Sequence, residues 1–324
     1  MSNKSILEKI DRLSKKYSAT GQDLDSYLEG LLYADYMGYW NYIHLDTLLS
    51  LQTPKTDFPD EKIFIIYHQI TELYFKLALI EIEQINKNGR NVLETGQDLG
   101  WKSKLTIEVF TEKMERLNRY MEHLINSFDI MIKGMEKSQF LKFRMALLPS
   151  SGFQSVQHRM IEIRSTDLSK LTAYTEIEKK AAGAYENLYW KSGANDLTTN
   201  KKTYTLSQFE KKYDKRLKKL ANKMQTLNIW SKFEQLTNKE QKNQKLIKLL
   251  KQYDQNMNVN WKLAHYKSAT RYLYQKNQQI DATGGTNWKK YLPPRFQKII
   301  FFPKLWTEEE KKNWGKSWVK SIIK

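Results

Sequence analysis

The strongest constraint on this chain is how rarely it is punctuated: thirteen glycines and six prolines are spread over 324 residues. A many-stranded β architecture needs turn residues at short, regular intervals, and the chain does not supply them. It offers long stretches in which apolar side chains recur at helical spacing. Pro59 and Asp60 open one from about Glu61 to Asn88, with Ile63, Ile66, Ile70, Leu73, Leu77 and Ile80 on schedule and Asn88-Gly89 closing it. Residues 4–34 read as a helix. A second long helix is expected over 103–136, a short one over 138–147 ahead of Pro149, and another long one over 241–276. Loops are expected at 51–62, at 150–155 (SSGFQS) and at 282–286 (ATGGT). Residues 165–250 are polar with helical periodicity and no evident chemistry. With no internal repeat and no linker, residues 1–324 read as one all-α domain with a peripheral helical excursion at about 165–250.

Composition sharpens the choice of class. Hydrophobic residues make up 40% and aromatic residues 13%, enough for a buried core. Cysteine is absent, which excludes disulfides and thiolate metal sites and makes a reducing cytoplasm the expected home. No unbroken apolar run approaches the ~18 residues of a membrane span, and MSNKSILEKIDRLSKKY is too charged for a signal peptide. The net charge of +18 raises nucleic acid or an anionic membrane as a partner. The lysines are scattered, however, and the densest run, Lys211 to Lys219, is mixed with acids. They read as solvated faces, so no nucleic-acid and no membrane partner is expected.

Five histidines carry the remaining possibilities: His44, His68, His123, His158 and His265. No HExxH pair, GxxxxGKS loop, GxGxxG or GxSxG is present, so the common zinc, nucleotide and serine chemistries lack their motifs. His68 follows Phe64 by one helical turn, and His265 follows Trp261 likewise. On that ground alone each reads as a hydrogen-bonded core histidine more readily than as a ligand. Arg144 lies in the apolar context KFRMALLP, where a buried cation needs an anionic partner, either a structural carboxylate or one on a ligand.

Six segments, in order, resemble the tryptophan 2,3-dioxygenase family. They are YWNYIHLDTLLSLQ (39–52), DEKIFIIYHQITELYFK (60–76), KFRMALLPSSGFQSVQHRMIE (142–162), WKLAHYKSATR (261–271), TGG (283–285) and FFPKLW (301–306). The resemblance implies an all-α helical bundle of the tryptophan/indoleamine 2,3-dioxygenase type enclosing haem b. The implied reaction inserts O2 across the indole C2–C3 bond of L-tryptophan to give N-formylkynurenine. His265 corresponds to the proximal ligand of the haem iron and His68 to the distal histidine facing the indole N–H. Phe64 and Phe140 correspond to walls of the indole pocket, and Arg144 to the clamp on the substrate carboxylate. Ser151 matches a serine near the haem edge and Thr283 a contact to the substrate ammonium group. Tyr39, Tyr42 and Ile43 match residues that a neighbouring subunit contributes, which implies a homo-oligomer, in the family a tetramer.

The chain departs from the family pattern around that threonine. Ala282 stands for a glycine, Thr286, Asn287 and Trp288 for small residues, and several extra residues (275–281) precede the loop. Tyr74 stands for a tryptophan. The departures motivate an alternative, a divergent haem enzyme oxidising a modified tryptophan or another indole. A non-catalytic haem or tryptophan binder and a basic nucleic-acid-binding protein are the rivals from other classes.

Overall fold

The computed structural model describes residues 3–34, 37–148, 150, 152–172, 184–192, 194, 202–275, 278–279 and 298–315. The chain divides into two compact units, residues 1–53 and 54–324.

In the first unit the expected helix over 4–34 is two helices, α1 (Asn3–Ala19) and α2 (Leu24–Tyr33). Gly21 adopts φ +69°, a left-handed conformation that suits glycine. Asp23 then starts α2 as its N-cap, accepting from the backbone N–H of Asp25 and Ser26 at 3.1 Å each. Tyr17 packs on Tyr27 at 4.8 Å between ring centroids. Two short helices follow, α3 (Tyr39–Tyr42) and α4 (Leu45–Leu49).

The second unit is built on α5 (Pro59–Asn86), close to the reading from sequence. Proline at its first turn is favourable because the missing N–H has no intrahelical partner there. Asn88 and Gly89, at φ +69° and +88°, end it. By length and composition α5 is the one described helix that is apolar enough to cross a membrane. One face of it enters the core through Phe75, Ala78, Ile82 and Ile85. A short hairpin that the periodicity did not announce follows, β1 (Arg90–Val92) against β2 (Asp98–Trp101), antiparallel. The expected helix over 103–136 begins after the Thr106 N-cap and is broken at Phe128, giving α6 (Ile107–Ser127) and α7 (Asp129–Lys133). Helix α8 (Lys137–Phe143) runs into a 3-10 turn, Arg144–Leu147. Helix α9 (Val156–Ser165) is capped by Ser155.

Residues 165–250 contain α10 (Tyr189–Ser192), α11 (Tyr204–Met224) and α12 (Ile229–Glu234). Trp190, Leu206, Phe209, Leu217 and Trp230 are buried in the same hydrophobic cluster as α5, α6 and α9. The last long element bends through a π-turn: α13 (Gln244–Gln255), the π-helical Asn256–Asn260 and α14 (Trp261–Leu273). Asparagines brace this turn. Asn256 donates to Asn118 Oδ1 at 3.3 Å and Asn260 donates to Asn256 Oδ1 at 2.9 Å. Buried Asp254 holds the FFPKLW segment by accepting from the N–H of Phe301 (2.9 Å) and Phe302 (3.0 Å) and from Trp306 Nε1 (3.0 Å). The regular structure of the described residues is thus helical apart from two short hairpins, as the scarcity of turn residues implies.

Candidate active site

The site grows from the register of α5 and α8. At the start of α5, the Asp60 carboxylate accepts from the Glu136 N–H at 2.6 Å, and the Asp60 N–H donates to Gln139 Oε1 at 3.3 Å. These bonds set α8 across the first turns of α5. Phe64 consequently meets Phe140 at 6.2 Å and Phe143 at 5.8 Å, while Phe140 meets Tyr272 of α14 at 4.5 Å. Arg144, the next residue after α8, is buried.

One turn along α5, the His68 ring stacks against Phe64 at 4.1 Å. Its Nδ1 lies 2.7 Å from the Phe64 carbonyl oxygen. A carbonyl only accepts, so Nδ1 carries the proton, and in the neutral ring Nε2 keeps its lone pair. The His68 pKa is depressed, chiefly by burial, with Phe64 and Glu72 opposing. The ring nevertheless has accessible surface.

His265 lies on α14, held edge-on between Phe128 (4.7 Å) and Trp261 (5.0 Å). Its pKa is pushed down to about 4, by burial first and then by the charge that His68 would carry. The two imidazoles are therefore within electrostatic reach of each other and both neutral near pH 7. A Cβ built on Gly152 would lie 3.9 Å from His265 Nε2, so the backbone at Gly152 approaches that nitrogen. Behind it, His158 is buried with neither ring nitrogen hydrogen-bonded. Its pKa lies well below the usual value through burial and the charges of Arg159, Lys262 and His265. A buried polar group without a partner asks for an explanation. Beside His265 it fits a place that a bound group completes.

A charged knot closes the far side. Arg159 Nη1 donates to Glu162 Oε2 at 2.7 Å and to the Tyr189 hydroxyl at 3.0 Å, and that hydroxyl donates to Glu162 Oε1. Lys262 is buried nearby, 5.2 Å above the Tyr189 ring, with its pKa lowered to about 8 by burial. Sequence reasoning did not single out Gly152, His158 or Lys262. Gly152 and His158 sit inside the SGFQSVQH stretch, whose spacing says nothing of which nitrogen they approach.

The residues expected from sequence are distributed as follows. Phe64, His68 and Phe140 are gathered on α5 and α8, Arg144 follows directly on α8, and His265 lies on α14. Ser151 and Thr283 lie outside the described residues, as do Ala282 and Trp288. Tyr39, Tyr42 and Ile43 belong to the first unit, within which Tyr39 and Tyr42 are exposed. Among the described residues no group of three histidine or acidic side chains is gathered to cage a metal ion. A histidine serving a porphyrin iron needs no such cage, because the macrocycle provides the equatorial ligands.

The family model for tryptophan 2,3-dioxygenase matches residues 29–283. The chain is 42% identical over 130 residues to a tryptophan 2,3-dioxygenase of Ruegeria sp. (strain TM1040), a match covering 40% of this chain and 42% of that one. It is 37% identical over 130 residues to the tryptophan 2,3-dioxygenase of Ruegeria pomeroyi, again 40% of this chain and 42% of the relative. The tryptophan 2,3-dioxygenase of Bradyrhizobium diazoefficiens is 33% identical over 145 residues, 44% of this chain and 47% of the relative. In each case the match spans less than half of the relative's length.

Proposed function

Because this chain belongs to the tryptophan 2,3-dioxygenase family, we propose that it is a haem-dependent enzyme that inserts O2 across the indole C2–C3 bond of L-tryptophan, giving N-formylkynurenine. The observation that carries the reading is the pair of neutral imidazoles, His68 with a fixed tautomer and His265 within its electrostatic reach. Bound haem supplies the dioxygen chemistry, which no protein side chain provides. His265 would hold its iron: a neutral imidazole with a free nitrogen is what axial ligation requires.

The chain's own residues bind and orient. His68 Nε2, left as an acceptor by the bond from Nδ1 to Phe64, takes the indole N–H. Phe64 and Phe140 supply apolar walls for a flat aromatic ring and keep water off it. The Arg144 guanidinium grips the substrate carboxylate, fixing direction as well as adding affinity. Ser151 and Thr283 are assigned the haem edge and the substrate ammonium group. Tyr39, Tyr42 and Ile43 are assigned to the pocket of a neighbouring copy in a homotetramer. These roles rest on the family's pattern.

The test is the absorption spectrum of the purified, reduced protein with and without L-tryptophan, followed by product analysis under labelled dioxygen. A Soret band that shifts on adding L-tryptophan, and a product carrying both labelled atoms, are expected. His265→Ala should abolish stable haem incorporation and His68→Ala should not. A normal Soret band in His265→Ala would overturn the ligand assignment, and incorporation of a single labelled atom would overturn the dioxygenase reading.

A further inference from the structure

A second cleft lies farther along α5, on the side where α9 and α11 pack. It encloses about 330 Å³ and is lined by Lys76 and Glu83 of α5, Arg164 of α9 and Arg216 of α11, with Leu79, Val156 and Met160 as apolar wall. From His68 to Lys76 the helix advances roughly 12 Å, so the cleft is separate from the imidazole chamber.

Its charges do not balance. Three cations face one carboxylate, and that carboxylate is shared: Glu83 pairs with Lys87 at 2.7 Å and also acts on Arg164 and Lys76. Arg164 is half-buried. Its Nη1 donates to the neutral amide oxygen of Asn86 at 3.2 Å, and its Nε is buried with no acceptor. Arg164 is held below its usual pKa chiefly by burial; Glu83 opposes the shift and the guanidinium of Arg216 adds to it. Neighbouring cations show the contrast. Lys218, two residues beyond Arg216 and on the other side of α11, closes ion pairs with Glu186 (2.7 Å) and Asp214 (2.9 Å). Holding like charges together at the mouth of a partly apolar cleft is costly unless an anion enters.

We propose that this cleft binds a small oxyanion, a carboxylate or phosphate carried on a short apolar body. Arg164 forms its floor, Lys76 and Arg216 close over the charged end, and Leu79, Val156 and Met160 receive the apolar end. A guanidinium pair is suited to either oxyanion.

Calorimetric titration of the full chain at low ionic strength tests this with phenyl phosphate, phenylacetate and inorganic phosphate as probes. Saturable binding of one probe molecule per chain is expected. The probe should weaken at least tenfold in Arg216→Gln, which changes an exposed residue that the fold does not need, and in Arg164→Gln. Lys215→Gln, an exposed lysine on the same helix, should leave it unchanged, as should Arg144→Leu. Tighter binding of phenyl phosphate than of phenylacetate identifies a phosphate ester as the source, and the reverse identifies a carboxylate. The proposal is overturned by absence of saturable binding. It is overturned equally by a loss shared with Lys215→Gln, which means diffuse charge, or by dependence on Arg144, which means the probe occupies the other site.

Discussion

Two regions within reach of His158 treat polarity in opposite ways. On one side the chamber of Phe64, His68, Phe140 and His265 holds polar atoms that are neutral and left with spare hydrogen-bonding capacity. On the other, the knot of Arg159, Glu162 and Tyr189 holds full charges that bond mainly to one another, with Arg159 Nε alone among these atoms left without an acceptor. The knot fixes geometry by satisfying itself. The chamber keeps its acceptors available, which is of use only if something from outside arrives to meet them. That difference separates a structural cluster from a candidate site, and exposure follows it: His68 is exposed and His265 half-buried, while Arg159, Glu162 and Tyr189 are buried.

The comparison breaks first at Glu162. Glu162→Ala removes the carboxylate paired with buried Arg159 and weakens the field that holds Lys262, and should cost about 3–5 kcal/mol of folding stability. His68→Ala removes a ring that nothing else depends on and should cost about 1 kcal/mol. Urea unfolding of both variants decides the matter. Equal losses would mean that the chamber is as structural as the knot.

Arg144→Leu sharpens the chamber side. L-tryptophan affinity should fall by about 2–4 kcal/mol, the order of breaking a desolvated charge pair. Tryptamine, lacking the carboxylate, should bind weakly to the unaltered protein and lose little further. Equal losses for both ligands would remove the carboxylate clamp from the site.

Lys262 probes the knot's one imperfect member. Its pKa falls from 10.5 to about 8, so the folded state favours the neutral amine. Below about pH 8 the folded protein bears the full cost of a buried ammonium. Between about 8 and 10.5 the unfolded chain binds more protons, so stability from this group rises with pH. Above 10.5 both states are neutral and the difference is gone. Lys262→Met should therefore stabilise the protein at pH 7 by on the order of 2 kcal/mol, with the gain vanishing toward the alkaline end. A gain independent of pH would assign the effect to packing.

How much of this the sequence disclosed follows the same division. The bounds of α5, the short α8 and the candidacies of His68, Arg144 and His265 were legible because a helix period or a local motif carries them. The break at Phe128 and the π-turn at Asn256–Asn260 were not. An apolar period runs through both, and what bends the chain is a contact with a distant residue, such as Asn118 with Asn256. The knot was invisible for the same reason: Tyr189 lies 27 residues from Glu162 across a polar stretch without a motif. The residues 165–250 read as chemically silent, yet they supply Tyr189 to the wall behind the candidate site. His158 was one histidine among five, and only its unmet nitrogens single it out.

The smallest expected stability change is at Gly152, where the loop backbone approaches His265. Its φ is not in the left-handed region, and an added Cβ meets nothing closer than His265 Nε2 at 3.9 Å, an ordinary van der Waals distance. Gly152→Ala is therefore compatible with the fold and should alter stability by less than about 1 kcal/mol, with the restricted unfolded chain favouring a slight gain. Its cost falls on whatever must reach that nitrogen. The methyl group stands in the approach to Nε2, so haem uptake should be weakened several-fold while the melting temperature of the haem-free protein stays nearly constant. Titration of haem into the two proteins, read by the Soret band, separates the cases. If uptake is unchanged, the loop moves well clear of His265 when haem enters, and the close approach of Gly152 has no part in the site. If the haem-free protein is instead strongly destabilised, the 150–155 loop is structural, and the division between chamber and knot needs redrawing at this edge.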